Sequence, residues 1–164
     1  ETYFKITSSK TAALFSAATK VGAILGKKEA KYKEALEFYG KNIGITFQIA
    51  DDALDYSSDL KSFGKEIGND FFEGKVTLPI ILLYQKISDS EKTILKNLFF
   101  KKKRDKEELN YVLNLIKKNN IIKDCYKKAD HFINLASNAL SVFEDSKEKK
   151  ILKNLTTFSI ERNF

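Results

Sequence analysis

Three aspartates stand in an otherwise mostly apolar segment, GITFQIADDALDY, at residues 44–56. Side chains three and four residues apart lie on the same side of a helix, so a helical segment would carry Asp51 and Asp55 on one face, with Asp52 beside it. The same face includes Gly44 and Gln48. Aspartate is a poor helix former, and like charges four residues apart destabilise a helix by about 0.2–0.5 kcal/mol. Local helix stability therefore does not explain the pattern, which indicates a functional requirement.

Paired carboxylates one helical turn apart can bind a hard cation. Mg²⁺ prefers oxygen ligands in octahedral geometry, keeps several waters, and is typically held by one or two protein carboxylates together with substrate phosphate oxygens. Without a cation, buried carboxylates repel each other and one takes up a proton. A solvated acidic face is the alternative, but such faces usually carry interleaved Lys or Glu, and this one has Ala, Leu, Ile and Phe. We predict that Asp51 and Asp55 bind Mg²⁺ and that Asp52 supports them or binds as well.

Helical periodicity fails between Tyr56 and Leu78, where Ser, Gly and Asn gather. Such a loop is long for a compact helical domain, and long loops are often functional. It contains Lys65 and Lys75, each directly after a glycine, and Asp70. A flexible cationic loop beside a Mg²⁺-binding helix would suit diphosphate capture, because lysine acts as a point charge on phosphate oxygens and loop closure excludes water. An ordinary surface loop is the alternative.

The rest of the chain is predicted to be helical, as a single all-α domain over residues 1–164. Small residues at helical spacing predict a tightly packed helix from about Thr7 to Gly26, and a second, long helix is predicted over residues 28–55. Inside the long helix, Gly40 and Gly44 would each cost about 1 kcal/mol relative to Ala, so we expect close approach of a neighbour or a substrate there. Further helices are predicted from Pro79, from the capping boxes Ser88/Glu91 and Asp105/Glu108, over Ile121–Phe143, and from Ser146.

The composition excludes several classes of protein. The chain has 164 residues, of which 43% are hydrophobic, so it is neither disordered nor membrane-spanning in composition. The single cysteine, Cys125, excludes an internal disulfide and fits a reducing compartment, so we expect a cytoplasmic protein. A net charge of +7 would suit any anionic partner. We do not expect nucleic acid, because the basic residues are spread along the helices and the dense cluster Lys101–Arg104 is predicted to be a solvated loop.

Two longer motifs make a family resemblance specific. FQIADDALDY at residues 47–56 is followed by GKEIGNDFFEGKVTLP at residues 64–79. Together they resemble the second aspartate-rich region, and the loop after it, of the trans-isoprenyl diphosphate synthases. Within that family they are most similar to the long-chain polyprenyl diphosphate synthases, the octaprenyl type among them. Upstream, KTAAL at residues 10–14 resembles the family's Lys-Thr segment. The resemblance implies an all-α helical bundle of the isoprenoid synthase type.

The resemblance also implies a reaction and roles for individual residues. The reaction is Mg²⁺-dependent condensation of isopentenyl diphosphate with an allylic diphosphate, giving a long-chain, octaprenyl-like polyprenyl diphosphate that serves as a quinone side-chain precursor. Lys10 and Lys65 would contact the allylic diphosphate, and Lys75 would lie close by. Thr11 would lie near the carbocation, and Gln48 would be a substrate ligand. Lys10, Thr11, Gln48 and Lys65 are therefore the predicted catalytic residues.

The same resemblance implies that the chain is the C-terminal part of a synthase domain. The family uses two aspartate-rich motifs, and only one is present. We expect the first motif and the isopentenyl diphosphate site upstream of Glu1, so that this chain would be inactive alone. A homodimer of the full-length protein and contact with a membrane surface during product release are expected, and Asp70 is expected to support the metal site or a lysine. The alternative is a non-catalytic helical subunit or degenerate paralogue that supports an active synthase.

Overall fold

A computed structural model of the chain describes residues 1–57 and 67–158. Within these ranges all regular secondary structure is helical, which confirms the predicted all-α class. A π-helical turn, Ser8–Ala12, joins the first two helices, and a 3₁₀ turn, Leu140–Val142, follows the eighth. In chain order the α-helices are α1 Thr2–Thr7, α2 Ala13–Leu25, α3 Ala30–Leu54, α4 Asn69–Glu73, α5 Leu78–Lys86, α6 Asp89–Phe100, α7 Lys106–Lys118, α8 Ile121–Ala139 and α9 Lys147–Phe158. No helix in the described part of the chain could cross a lipid bilayer.

The described residues form two compact units. The first unit contains residues 1–50 and 128–158, and the second contains residues 51–57 and 67–127. In the first unit, the Tyr39 hydroxyl donates a hydrogen bond to the Leu152 carbonyl oxygen at 2.7 Å, which ties α3 to α9. Ser146 caps α9, as predicted, by accepting a hydrogen bond from the Lys149 N–H. The buried core of this unit includes Tyr39, Ile43, Ala136 and Leu140.

The predicted close approach at Gly40 and Gly44 is confirmed, and the neighbour is helix α2 with the π-helical turn before it. A Cβ at Gly40 would lie 2.4 Å from the Phe15 carbonyl oxygen. A Cβ at Gly44 would lie 2.5 Å from the Cα of Ala12. Both distances are far inside van der Waals contact, so only glycine allows these backbones to pack this closely. Ala12, one of the small residues of the helix predicted from Thr7 to Gly26, and the two glycines of α3 therefore serve the same close packing.

Local capping signals set the helix starts in the second unit. The Ser88 hydroxyl accepts a hydrogen bond from the Glu91 N–H, and the Glu91 carboxylate accepts one from the Ser88 N–H. Asp105 and Glu108 form the same reciprocal pair at the start of α7, with distances of 2.9 and 3.0 Å. Pro79 lies in the first turn of α5, where its missing N–H is not needed. All three predicted starts are confirmed.

The long loop predicted between α3 and α5 contains a short helix, α4. Two glycines flank this five-residue helix, Gly68 with a φ of 84° and Gly74 with a φ of 76°. Glycine adopts these left-handed conformations without the steric penalty of other residues. The prediction of a solvated basic cluster was wrong for Arg104, which is half-buried and donates hydrogen bonds to main-chain carbonyl oxygens. The other three residues of the cluster are exposed.

Candidate functional site

The three predicted metal ligands lie at the C-terminal end of α3. Asp51 and Asp52 belong to its last turn, and Asp55 follows in the turn after it. Asp51 is exposed, Asp52 is 2% exposed, and Asp55 is half-buried. The carbonyl groups at the end of a helix carry partial negative charge, so carboxylates there are unfavourable, and α3 has no basic residue in its last turn. The fold therefore holds these carboxylates in positions that reduce its stability.

Asp55 also binds the start of α4. The Asn69 N–H donates to its Oδ1 at 3.1 Å, and the Asp70 N–H donates to its Oδ2 at 2.9 Å. The Gly68 N–H donates to the Asp55 main-chain carbonyl oxygen at 2.8 Å. The first N–H groups of a helix have no hydrogen-bond partner within that helix. The Asp55 carboxylate accepts hydrogen bonds from two of them and so caps the N-terminal end of α4. Each carboxylate oxygen keeps a further lone pair, so a cation can still bind.

We expect the Asp55→Ala variant to expose the first amides of α4. Loss of a capping side chain typically costs about 0.5–2 kcal/mol, so hydrogen exchange at Asn69 and Asp70 should accelerate by about tenfold. Hydrogen exchange measured by NMR tests this directly, with Asp51→Ala as the matched control because the exposed Asp51 side chain makes no such bond. Unchanged protection of both amides in Asp55→Ala would show that α4 does not depend on this carboxylate.

The surroundings of Asp55 disfavour its ionised form. Burial raises the pKa of Asp55, and the negative charges of Asp70 and Asp51 raise it further, while the N–H groups of Asp70 and Asn69 act in the opposite direction. Since the pKa is raised in the folded state, the stability that Asp55 contributes in acid is lost as the pH rises through that folded-state pKa. A bound cation would offset the charge repulsion that remains at neutral pH.

Asp70 and Lys75 lie together just after the carboxylates. The Lys75 ammonium lies 3.2 Å from Asp70 Oδ1 and 2.6 Å from Glu73 Oε2, and half of the lysine side chain is exposed. The Lys75 N–H donates to the Asp70 main-chain carbonyl oxygen at 2.8 Å. Of the two roles predicted for Asp70, contact with a lysine is therefore observed. Lys75 is therefore held beside two carboxylates, with part of its side chain open to solvent.

The first unit brings two other predicted residues together. Lys10 and Thr11 lie in the π-helical turn Ser8–Ala12, and the Thr11 hydroxyl donates to the Gln48 side-chain oxygen at 2.8 Å. These two residues are 37 positions apart in the sequence. Short π-helical turns within α-helices are rare and occur frequently at functional sites. Lys10 is exposed, and Lys65 lies outside the described residues.

The carboxylates of the second unit fit a cation that takes only part of its ligands from protein. Within residues 1–57 and 67–158, no three His, Cys, Asp or Glu side chains are gathered into a cage for a metal ion. Asp51 and Asp55 are nevertheless close enough for the charge of one to raise the pKa of the other. All the donors are carboxylate oxygens, the donors that Mg²⁺ prefers, and Mg²⁺ takes its remaining ligands from water and substrate phosphates. The carboxylates of Asp51 and Asp55 thus have the chemistry of ligands to a hard divalent cation, whereas Asp52 is buried.

Comparison with known proteins gives one family. The polyprenyl synthetase family model matches residues 1–116. An all-trans-nonaprenyl-diphosphate synthase (geranyl-diphosphate specific) of Rhodobacter capsulatus is 33% identical over 160 residues, which cover 98% of this chain and 48% of the relative. A short chain isoprenyl diphosphate synthase of Methanothermobacter thermautotrophicus is 33% identical over 162 residues, which cover 99% of this chain and 49% of the relative. This chain therefore spans about half the length of the curated relatives it matches.

Solved structures give the same result for the fold. A polyprenyl synthase from Caulobacter crescentus, complexed with calcium and isoprenyl diphosphate, has a TM-score of 0.92 and 31% identity, covering 99% of this chain and 49% of that structure. A decaprenyl diphosphate synthase from Rhodobacter capsulatus has a TM-score of 0.89 and 33% identity, covering 99% of this chain and 50% of that structure. The predicted helical architecture of the isoprenoid synthase type is confirmed.

Proposed function

Because this chain belongs to the polyprenyl synthetase family, we propose that the protein carrying it is a trans-polyprenyl diphosphate synthase, a transferase that condenses isopentenyl diphosphate with an allylic diphosphate. One observation carries the proposal: α3 ends in carboxylates that reduce the stability of the helix, and the half-exposed Lys75 follows them in the chain. A cation bound at this helix end would offset the repulsion between the carboxylates, and a diphosphate would supply the remaining oxygen ligands of that cation.

In this proposal Asp51, Asp52 and Asp55 hold Mg²⁺. When bound, Mg²⁺ supplies Lewis acid chemistry, withdrawing negative charge from the diphosphate leaving group. The half-buried Asp55 joins the metal site to α4 through its bonds to Asn69 and Asp70. Ordering of α4 and binding of the substrate are therefore coupled through one side chain.

The lysines of the chain bind the diphosphate in the same proposal. Lys10, Lys65 and Lys75 act as point charges on phosphate oxygens, a role that suits the compact lysine ammonium. Thr11 lies near the allylic carbon as it gains positive charge, and Gln48 is a substrate ligand, each acting through its side-chain oxygen. Their mutual hydrogen bond fixes both oxygens before the substrate arrives, which avoids reorganisation during the reaction.

We propose a long-chain product of octaprenyl-like length, a precursor for a quinone side chain. The similarity to the nonaprenyl synthase of Rhodobacter capsulatus supports a long chain, as does 28% identity to the octaprenyl diphosphate synthase of Haemophilus influenzae. A shorter product is the second candidate, because a geranylgeranyl diphosphate synthase of Saccharolobus solfataricus is 35% identical over 164 residues. The size of the product distinguishes the two.

The length of the relatives supports a proposal about the extent of the active protein. This chain matches about half of each curated relative described above, so we propose that turnover belongs to a longer protein in which this chain is the C-terminal part of the synthase domain. The chain alone is then inactive. The same proposal includes a cytoplasmic homodimer and contact with a membrane surface during release of the long apolar product.

Product formation by the complete protein tests the proposed function. We expect polyprenyl diphosphates when the protein is incubated with farnesyl diphosphate, isopentenyl diphosphate and Mg²⁺, with products sized by chromatography. A chelator should abolish the products and added Mg²⁺ should restore them. A folded, Mg²⁺-saturated protein that forms no product would favour the alternative, a non-catalytic helical subunit or degenerate paralogue.

A further inference from the structure

Arg104 makes two main-chain contacts that its neighbours in the basic cluster do not make. It lies between α6 and α7, with a half-buried side chain. Its Nη1 donates to the Phe72 carbonyl oxygen at 3.2 Å, and its Nη2 donates to the Phe99 carbonyl oxygen at 2.8 Å. Lys101, Lys102 and Lys103 are exposed.

Both acceptors of Arg104 are at the C-terminal ends of helices. Phe72 lies in the last turn of α4 and Phe99 in the last turn of α6. The final carbonyl groups of a helix have no hydrogen-bond partner within it, and a nearby cation is favourable because they carry partial negative charge. One guanidinium therefore satisfies the ends of two helices, and it joins the short α4 to the longer α6.

Aromatic rings form the walls of the site around Arg104. The guanidinium carbon lies 5.3 Å from the ring centroid of Phe99 and 5.8 Å from that of Phe71. The Phe71 ring is fully buried and packs edge-on against Phe99. Among the described residues, no carboxylate forms an ion pair with Arg104, so its charge is met by carbonyl oxygens and ring faces. An ordinary surface arginine would be surrounded by water instead of by carbonyl oxygens and aromatic rings.

The Arg104 guanidinium also packs directly against Gly74. A Cβ at Gly74 would lie 2.7 Å from Nη2 and 3.0 Å from Nη1. Gly74 has the left-handed conformation that ends α4, and Lys75 follows at once. The backbone conformation at Gly74 sets the direction in which Lys75 leaves the helix, and Arg104 contacts that backbone on one side.

We propose that Arg104 is a positioning residue for Lys75, acting through the C-terminal end of α4 and Gly74. The inference rests on the proposed diphosphate-binding role of Lys75. Lysine cannot replace Arg104, because a single ammonium lacks the planar fork of N–H groups that donates to the Phe72 and Phe99 carbonyl oxygens in two fixed directions. Arg104 makes no direct contact with the substrate in this role.

Hydrogen exchange tests the local part of this inference in the chain itself. We expect the amide hydrogens of Gly74 and Lys75 to exchange with solvent about tenfold faster in the Arg104→Gln and Arg104→Lys variants. These two amides donate hydrogen bonds to carbonyl oxygens of α4, so their exchange reports on the order of its C-terminal end. Lys103→Gln is the matched control, since it removes the same charge from the adjacent exposed residue. Unchanged exchange in Arg104→Gln, or an equal increase throughout residues 67–127, would overturn a local positioning role.

Binding of inorganic pyrophosphate with Mg²⁺ to the complete protein tests the link to Lys75. Calorimetry should show affinity reduced about fivefold or more in both Arg104 variants and within twofold of wild type in Lys103→Gln. If Arg104 acts through Lys75, the Lys75→Gln/Arg104→Gln double variant should bind no more weakly than Lys75→Gln. Additive losses would overturn the inference. A wild-type protein that binds no pyrophosphate would contradict the proposed function, and the exchange measurement would still decide whether Arg104 orders this segment.

Discussion

Replacing Asp51 with alanine is expected to reduce the kcat/KM of the complete protein by about 100-fold or more, because the change removes an exposed carboxylate at the end of α3 that we propose as a metal ligand. The Asp51 side chain makes no hydrogen bond or ion pair within the described part of the chain. The variant should therefore fold as the wild type does, with a midpoint of thermal unfolding no lower than that of the wild type, because the change removes an unfavourable charge from the C-terminal end of α3. Steady-state kinetics with saturating Mg²⁺ measure the effect.

Glu34→Ala is the matched control for Asp51→Ala. Both changes remove an exposed carboxylate from α3, but Glu34 lies towards the other end of the helix. Glu34→Ala should retain the wild-type kcat/KM. If Asp51→Ala also stays within about threefold of wild type, Asp51 is not a metal ligand that the reaction requires.

Replacing Gly44 with alanine is expected to destabilise the fold by about 2–3 kcal/mol. In an ordinary helix interior the same change is stabilising by about 1 kcal/mol, because alanine is the better helix former. Here the added Cβ would lie 2.5 Å from the Cα of Ala12, and a backbone atom can move away only if its helix moves. Steric overlap therefore outweighs helix propensity. Denaturant unfolding followed by circular dichroism measures the change.

Gly22→Ala should change the free energy of unfolding in the opposite direction from Gly44→Ala. Gly22 is an exposed position inside α2, and a Cβ there would meet no atom within 4 Å. Only the propensity effect remains, so we expect stabilisation of up to about 1 kcal/mol. A Gly44→Ala variant as stable as Gly22→Ala would contradict the close contact between α3 and the helix that precedes it.

Helix α4 gains support at both ends from side chains of opposite charge. At the start of α4, the Asp55 carboxylate accepts hydrogen bonds from the Asn69 and Asp70 N–H groups. At the end of α4, the Arg104 guanidinium donates a hydrogen bond to the Phe72 carbonyl oxygen. Negative charge at the start of a helix and positive charge at its end both match the helix dipole. A five-residue helix is too short to be stable alone. The two side chains therefore give Lys75 a defined starting point next to the proposed metal ligands.

Much of the fold could be predicted from sequence because its signals are local. The capping boxes at Ser88 and Asp105 and the helix start at Pro79 each depend on residues within a single turn. The glycines of α3 also predicted a close contact, since glycine inside a helix needs a reason. The partner of that contact could not be read from the glycines alone.

The contacts that the sequence did not reveal join residues far apart in the chain. Asp55 binds an amide 14 residues away, and Arg104 binds a carbonyl oxygen 32 residues away. Helix α4 shows no periodicity in five residues, and Arg104 has the same charge as three exposed lysines before it. Arg104 differs from these lysines in its burial and in its hydrogen-bond partners. Both depend on residues that are distant in the sequence, so neighbouring residues do not reveal them. The roles of Lys10, Lys65 and Gln48 in binding substrate stay predictions.

The most direct test of the central claim is the Mg²⁺ dependence of product formation by the complete protein. Incubation with farnesyl diphosphate and isopentenyl diphosphate should give chromatographically resolved polyprenyl diphosphates with Mg²⁺ and none with a chelator, and Asp51→Ala should form product about 100-fold or more slowly even when Mg²⁺ is present. Products formed equally with and without Mg²⁺, or no products from a folded and metal-saturated protein, would contradict a synthase whose metal is held at the end of α3.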